Sequence, residues 1–244
     1  MYLAQYTGKA IRVAVIDSGV NAAHPHIVHP RSRVHGGGIS GGLAIREDGS
    51  IGDDYVDRLG HGTAVTAAIR EKAPDAEIIV IKVFWGALAT DAATLVRAID
   101  EAAARDAAVI NLSLGTAETQ HRADLADAVA RAADRGALVV SAIEADGVQW
   151  LPGSLDGVVA VQLDWASARD TYRVVHTGGR AIIAASGYPR DVPGVPRERN
   201  LKGVSFAVAN ASGFIARALE AVPAVSVASV FGTLEAAAGE QTPG

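Results

Sequence analysis

The sequence predicts an α/β fold, a doubly wound, mostly parallel sheet with helices on both faces. Three observations carry that reading. Short, nearly continuously apolar runs recur along the chain, segments of helical periodicity separate them, and the order to residue 142 is βαβαβαβ. Strands buried on both faces read as apolar runs, and crossover helices between them make the sheet parallel. The 244 residues suit one domain. With 49% apolar and 20% charged residues, dominant disorder is excluded.

The elements follow in order. Residues 11–16 are a β-branched run, stopped by Asp17-Ser18-Gly19, and read as a buried strand ending in a turn. Residues 28–58 are rich in Gly, Ser and Asp without periodicity and predict a long loop region. Residues 63–72 predict a helix that Ala73-Pro74 ends. Residues 77–83 predict a second strand. Residues 91–105 predict a helix with Leu95, Ile99 and Ala102 on one stripe. A third strand is expected over 107–111, a helix over 122–135 with Gly136 as its C-cap, and a fourth strand over 137–142. Further strands are expected over 157–161 and 180–184. A helix over 205–221 stops at Pro223, and a last helix covers 225–238. Residues 1–10 read as a short N-terminal arm and 239–244 as a flexible tail. No repeat or linker divides the chain, so 1–244 is expected to be a single domain.

Composition removes several functions. Lys and Arg total 22 against 27 Asp and Glu, a net charge of −5, so nothing draws the chain to a phosphate backbone and no nucleic-acid partner is expected. There is no cysteine, which excludes disulfides, thiolate zinc sites and cysteine nucleophiles. The first six residues lack a basic region followed by an apolar run, and no stretch approaches 18 uninterrupted apolar residues. The expectation is a cytoplasmic chain with no membrane association.

In open parallel sheets, ligands bind at the carboxyl ends of strands. Three polar residues have suitable positions there. Asp17 follows the first strand, His61 opens a helix in Leu59-Gly60-His61-Gly62-Thr63, and Ser205 opens another in Gly203-Val204-Ser205-Phe206-Ala207. Each alone has a bland reading, as a turn former, a structural histidine and an N-cap. Together, in the order Asp, His, Ser, they follow the chain order of the subtilisin triad.

On these residues the sequence resembles the subtilisin-like serine peptidases over nearly its whole length. Val13-Ala14-Val15-Ile16-Asp17-Ser18-Gly19-Val20 with His24-Pro25 is similar to that family's catalytic-Asp segment, and Gly60-His61-Gly62-Thr63-Ala64-Val65 to its catalytic-His segment. Ala73-Pro74-Asp75-Ala76 leading to Ile81-Lys82-Val83 is also family-like. Asn111-Leu112-Ser113-Leu114-Gly115 resembles the strand lining the substrate cleft. Gly203 to Ala207, continuing to Gly213, resembles the nucleophile helix. The resemblance implies a subtilisin-like fold with Asp17, His61 and Ser205 as a catalytic triad. A serine hydroxyl needs such a base, and the base needs an orienting carboxylate. It also implies that Ser113, Leu114 and Gly115 pair with an extended peptide as an added strand. Phe84, Trp85 and Gly86 supply either a facing strand and apolar subsite wall or merely core and rim aromatics.

The chain departs from the family where an Asn normally donates to the oxyanion. Anchored on Asp146-Gly147 that position is Ala145; anchored on Ser141-Ala142 it is Glu144. Neither donates as Asn does. Val204 stands where the family usually has Thr. Asn210 is a poor substitute, being five residues beyond Ser205, and Gln149 is a better one. The family's common calcium-binding insertion is missing between the His-bearing helix and the next strand. Asp53, Asp54 and Asp57 read as a solvated turn rather than a cation site. The spacing of His24, His26, His29 and His35 fits no standard ligand set, so no metal and no cofactor are expected. Only ten residues precede the first strand, leaving no room for an inhibitory folding pro-domain. The chain is then either a mature fragment or a member that folds without one. The expected function is a serine endopeptidase processing a specific peptide or precursor in the cytoplasm. The alternative is a catalytically weak or inactive pseudopeptidase that acts as a peptide-binding or partner subunit.

Overall fold

A computed structural model of the chain describes residues 1–28, 38–222 and 225–239. Its strands are β1 (Arg12–Asp17), β2 (Ile39–Ile45), β3 (Ile51–Gly52), β4 (Glu77–Lys82), β5 (Val109–Leu112), β6 (Leu138–Ala142), β7 (Glu144–Ala145), β8 (Val148–Gln149), β9 (Val159–Leu163), β10 (Tyr172–Thr177) and β11 (Arg180–Ala185). Its helices are α1 (His61–Lys72), α2 (Ala92–Ala103), α3 (Arg122–Asp134), α4 (Val204–Ala221) and α5 (Val227–Gly239).

The main sheet runs β10-β11-β9-β6-β5-β1-β4-β2-β3. From β11 to β2 every pairing is parallel, and the antiparallel strands β10 and β3 lie at the two edges. Alternation along the buried strands explains the two helical layers. Val13 and Val15 of β1, with Ile78 and Val80 of β4, pack on α1, α4 and α5. Ala14, Ile16, Ile79 and Ile81 point the other way, onto α2 and α3. Period-two side chains on a strand buried on both faces require this division. α4 is the central helix of its layer: from Phe206 to Leu219 every residue is buried. Each fully buried Phe or Ile in it contributes about 1.5–3 kcal/mol relative to exposure.

The chain order reverses at β1. β4 lies on one side of it and β5 on the other, and β6, β9 and β11 continue outward from β5. That is a topological switch point, where a crevice opens beyond the carboxyl ends of the strands. Among the described residues no helix is long and apolar enough to cross a membrane.

Two regions correct the sequence reading. Residues 39–45 and 51–52 are strands inside the expected loop region, and β2 pairs in parallel with β4. Ile39-Ser40-Gly41-Gly42 carries no apolar periodicity, so the pairing is imposed by the neighbouring strand rather than by local propensity. The second is β10, joined to β11 through Gly178-Gly179, both with positive φ. The last helix extends to Gly239, one residue into the expected tail. Pro223, His29, His35 and residues 240–244 lie outside the described residues.

Candidate active site

Asp17 ends β1 and is fully buried, because β4 and β5 pair with that strand on both sides. The Ser18 N–H donates to its Oδ1 at 2.7 Å. His61, the first residue of α1, places Nδ1 2.8 Å from Oδ1 and 3.0 Å from Oδ2 of Asp17. A carboxylate only accepts, so Nδ1 carries the proton and neutral His61 keeps its lone pair on Nε2. Gly62 permits the approach. A Cβ there would sit 2.2 Å from the Gly19 carbonyl oxygen, a backbone atom that cannot move aside cheaply.

Asp57 organises the start of α1. Its carboxylate accepts from the N–H groups of Leu59, Gly60 and Thr63, and from the hydroxyls of Ser18 and Thr63. The helix has no side-chain bond from its own N-cap, Gly60; Asp57 instead serves the Thr63 N–H in its first turn and the two N–H groups that lead into it. The solvated turn expected at Asp57 is therefore a hydrogen-bonded hub. Ser18 closes the network by accepting from the Gly62 N–H at 2.9 Å. Burial pushes the His61 pKa down. The hydrogen bond and charge of Asp17, with the charge of Asp57, outweigh it and raise the pKa above the usual 6.5.

Ser205 lies in the first turn of α4, whose N-cap is Gly203 with no side-chain cap bond. Its hydroxyl is thus not used as an N-cap. It donates to the Ser113 carbonyl at 3.2 Å, while the Ser113 hydroxyl donates to the Ser205 carbonyl at 3.2 Å. Asn111 donates to the Ser113 hydroxyl and accepts from Ser212, which ties the end of β5 to α4 through buried groups. His61 and Ser205 line one cavity of about 170 Å³, with Phe84, Leu114, Gly115 and Trp150 among its walls. Among the described residues, the hydrogen bond of the Ser205 hydroxyl goes to Ser113 and not to His61.

Other expected site residues fall differently. β5 ends at Leu112, and Ser113, Leu114 and Gly115 continue the chain beyond the paired sheet. Ser113 is buried, and Thr116 just beyond is bridged to Leu151 by the chain itself. A Cβ on Gly115 would lie 2.6 Å from the Leu151 carbonyl oxygen and 2.9 Å from Cε3 of Trp150. The glycine is therefore required first by the chain's own loop. Phe84 is buried and lines the cavity, whereas Trp85 turns away from it. Its indole donates to the Ile45 carbonyl and stacks under the Lys82 ammonium. Gly86 is exposed and lies outside the cavity wall.

Val204 lines the cavity; Glu144, Ala145 and Gln149 do not. They belong to the β7–β8 hairpin, in which Glu144 and Gln149 are exposed and Ala145 is half-buried. Asn210 is occupied elsewhere, donating to the carbonyls of Ser186 and Tyr188. Asp54 pairs with Arg58, and His24 accepts from the His26 N–H. Among the described residues, no group of three or more His, Asp or Glu side chains is placed to hold a metal ion. Ser18 and Trp150 were not singled out in the sequence, and Asp57 was read only as part of a solvated turn. The Asp57 signal was an acidic residue just ahead of the His61 helix, and nothing local distinguished Trp150.

The family model Peptidase_S8, the subtilase family, matches residues 8–244. The minor extracellular protease Epr of Bacillus subtilis (strain 168) is 34% identical over 168 residues, 64% of this chain, and the chain spans only 23% of Epr's length. The major intracellular serine protease of the same organism is 27% identical over 228 residues, 86% of this chain and 68% of that protein. The solved structure of the prenylagaramide maturation protease PagA superposes with a TM-score of 0.61 at 26% identity, covering 86% of this chain and 76% of that one. With a doubly wound parallel sheet, an Asp17–His61 pair at its switch point and the family model matched from residue 8 to the last residue, this chain belongs to the subtilase family.

Proposed function

We propose that the chain is a serine endopeptidase, acting as one domain, in which Ser205 is the nucleophile, His61 the general base and Asp17 its orienting partner. The observation that carries this reading is the Asp17–His61 hydrogen bond at the wall of a cavity shared with Ser205. The Ser205 Oγ leaves the Ser113 carbonyl and attacks the peptide carbonyl carbon as its proton passes to Nε2 of His61. The tetrahedral intermediate collapses, the C–N bond breaks, and His61 returns the proton to the leaving amine. Water, deprotonated by His61, then hydrolyses the acyl-enzyme. Asp17 holds the Nδ1–H tautomer and stabilises the imidazolium.

The oxyanion faces the unpaired N–H groups in the first turn of α4 and the positive end of its dipole. Ala145 supplies no side-chain donor. One such donor is worth about 10²–10³ in kcat, a figure from subtilisin itself, so turnover is expected to be slow. Slow turnover suits the processing of one peptide or precursor inside the cell. Similarity to an intracellular serine protease and to a maturation protease supports that finer reading.

A second reading, a peptide-binding pseudopeptidase serving a partner subunit, is favoured by the Ser205 hydroxyl resting on Ser113 and by Ala145. The test is incubation of wild type and Ser205→Ala with a mixed peptide set, followed by mass spectrometry. Cleavage by wild type alone supports the peptidase. Equal peptide affinity in both proteins with no cleavage supports the second reading.

A further inference from the structure

We infer that Trp150 closes the side-chain pocket next to Ser205 and restricts cleavage to peptide bonds that follow a small residue. The inference rests on the peptidase reading and names the substrate class of that same site. Sheet order places the walls. Ser113 to Gly115 follow β5. On one side, Asp17 at the end of β1 holds His61 and the segment after β4 brings Phe84; on the other, the segment after β6 brings Trp150. The leaving amine must face His61, which protonates it. The side chain on the acyl side of the scissile bond, P1, is thereby directed away from His61, toward Trp150.

There the indole already occupies space. Its Cε3 lies 2.9 Å from the position a Cβ on Gly115 would take, so the ring packs directly on the Gly115 backbone. The whole cavity, His61 side included, holds about 170 Å³, well below the roughly 300–1,000 Å³ of pockets that enclose drug-sized ligands. Trp150 is also anchored. Its N–H donates to the Ile143 carbonyl at 2.9 Å and its carbonyl accepts from the Ser154 N–H at 2.8 Å. The next residue, Leu151, exchanges two backbone hydrogen bonds with Thr116, at 2.8 and 2.9 Å. A wall fixed at four backbone points does not open cheaply for a bulky side chain, because overpacking a filled site forces strained rotamers and backbone shifts.

The test compares kcat/KM on peptides that differ only in P1 (Gly, Ala, Leu or Phe) for wild type, Trp150→Phe and Trp150→Ala, with thermal midpoints as a check of folding. Wild type is expected to favour Ala over Phe by about 100-fold, within the range apolar pockets achieve. Trp150→Ala is expected to raise the Phe:Ala ratio by about tenfold or more, with Trp150→Phe between them. A wild-type preference for Leu or Phe, or an unchanged ratio in a folded Trp150→Ala protein, overturns the inference. If wild type cleaves nothing, the peptidase reading fails separately. The pocket is then read by calorimetry on Ser205→Ala with product-like peptides ending in Ala or Phe. Tighter binding of the Ala peptide, reversed by adding Trp150→Ala, upholds the pocket; equal binding overturns it.

Discussion

The two flanks of Ser205 are built to different standards. On the His61 side, Asp17, Ser18, Asp57, Gly62 and Thr63 form a closed network in which Asp57 alone accepts five hydrogen bonds. On the side proposed for the oxyanion stands a two-plus-two-residue hairpin with Glu144 and Gln149 exposed and no side chain of β7 or β8 lining the cavity. In the proposed mechanism the proton-transfer half is thus held by side chains, and the oxyanion half falls to backbone N–H groups. Catalytic power is expected to divide the same way, and four substitutions or titrations probe the division.

The largest effect falls on the fixed flank. His61→Ala is expected to lower kcat about 10⁶-fold, the loss that removing the same kind of residue causes in subtilisin. A loss below tenfold in a steady-state peptide assay would place the base elsewhere. Asp57→Ala comes next. It strips the acceptor from three N–H groups at the approach to and start of α1 and from two hydroxyls, and should cost about 3 kcal/mol, the upper end of ordinary single substitutions. Chemical denaturation measures it; a cost under 0.5 kcal/mol would make the network ornamental.

Ala145→Asn probes the sparse flank. A side-chain donor is expected to raise kcat about tenfold with KM little changed, less than the full donor value because an exposed hairpin must order itself to deliver it. An unchanged kcat would mean that backbone donors already suffice. The smallest effect is on pH dependence. His61 must be neutral to accept a proton, so kcat/KM should fall as pH drops through its raised pKa, above 6.5. Asp57→Asn removes one of the charges that raise it, and the midpoint should move downward. In stability the sign is opposite. The raised pKa stabilises the fold below the unfolded value, near 6.5, and that contribution is lost as pH rises through the folded value.

The sequence was most readable where one residue type has one physical use. Val13 to Ile16, buried on both faces, read as a central strand because nothing polar interrupts them. Helices α1 to α4 were legible from periodicity and from breakers such as Ala73-Pro74 and Gly136. β2 was not, because Ser40, Gly41 and Gly42 carry no pattern and the strand exists by pairing with β4. β10 left a signal in Gly178-Gly179, a two-residue turn between Thr177 and Arg180. Within the site, Asp17, His61 and Ser205 were marked by their local motifs. Trp150 was not. Its position depends on the Thr116–Leu151 bridge, a contact between segments 35 residues apart that no local pattern encodes. Trp85 stayed open between subsite wall and rim aromatic for the same reason: adjacency to Phe84 in sequence says nothing about which side of the strand end an indole takes.

In the proposed mechanism His61, held by Asp17, activates Ser205. The most direct measurement is the site and rate of labelling by a small fluorophosphonate, read by intact mass and peptide mapping, in wild type, His61→Ala and Asp17→Asn. A single adduct on Ser205 is expected in wild type. Labelling is expected to slow as pH falls through the raised His61 pKa, and the rates in both variants to be lower by about 10⁴-fold or more. An adduct on another residue, or labelling of Ser205 at an undiminished rate in folded His61→Ala protein, would contradict it.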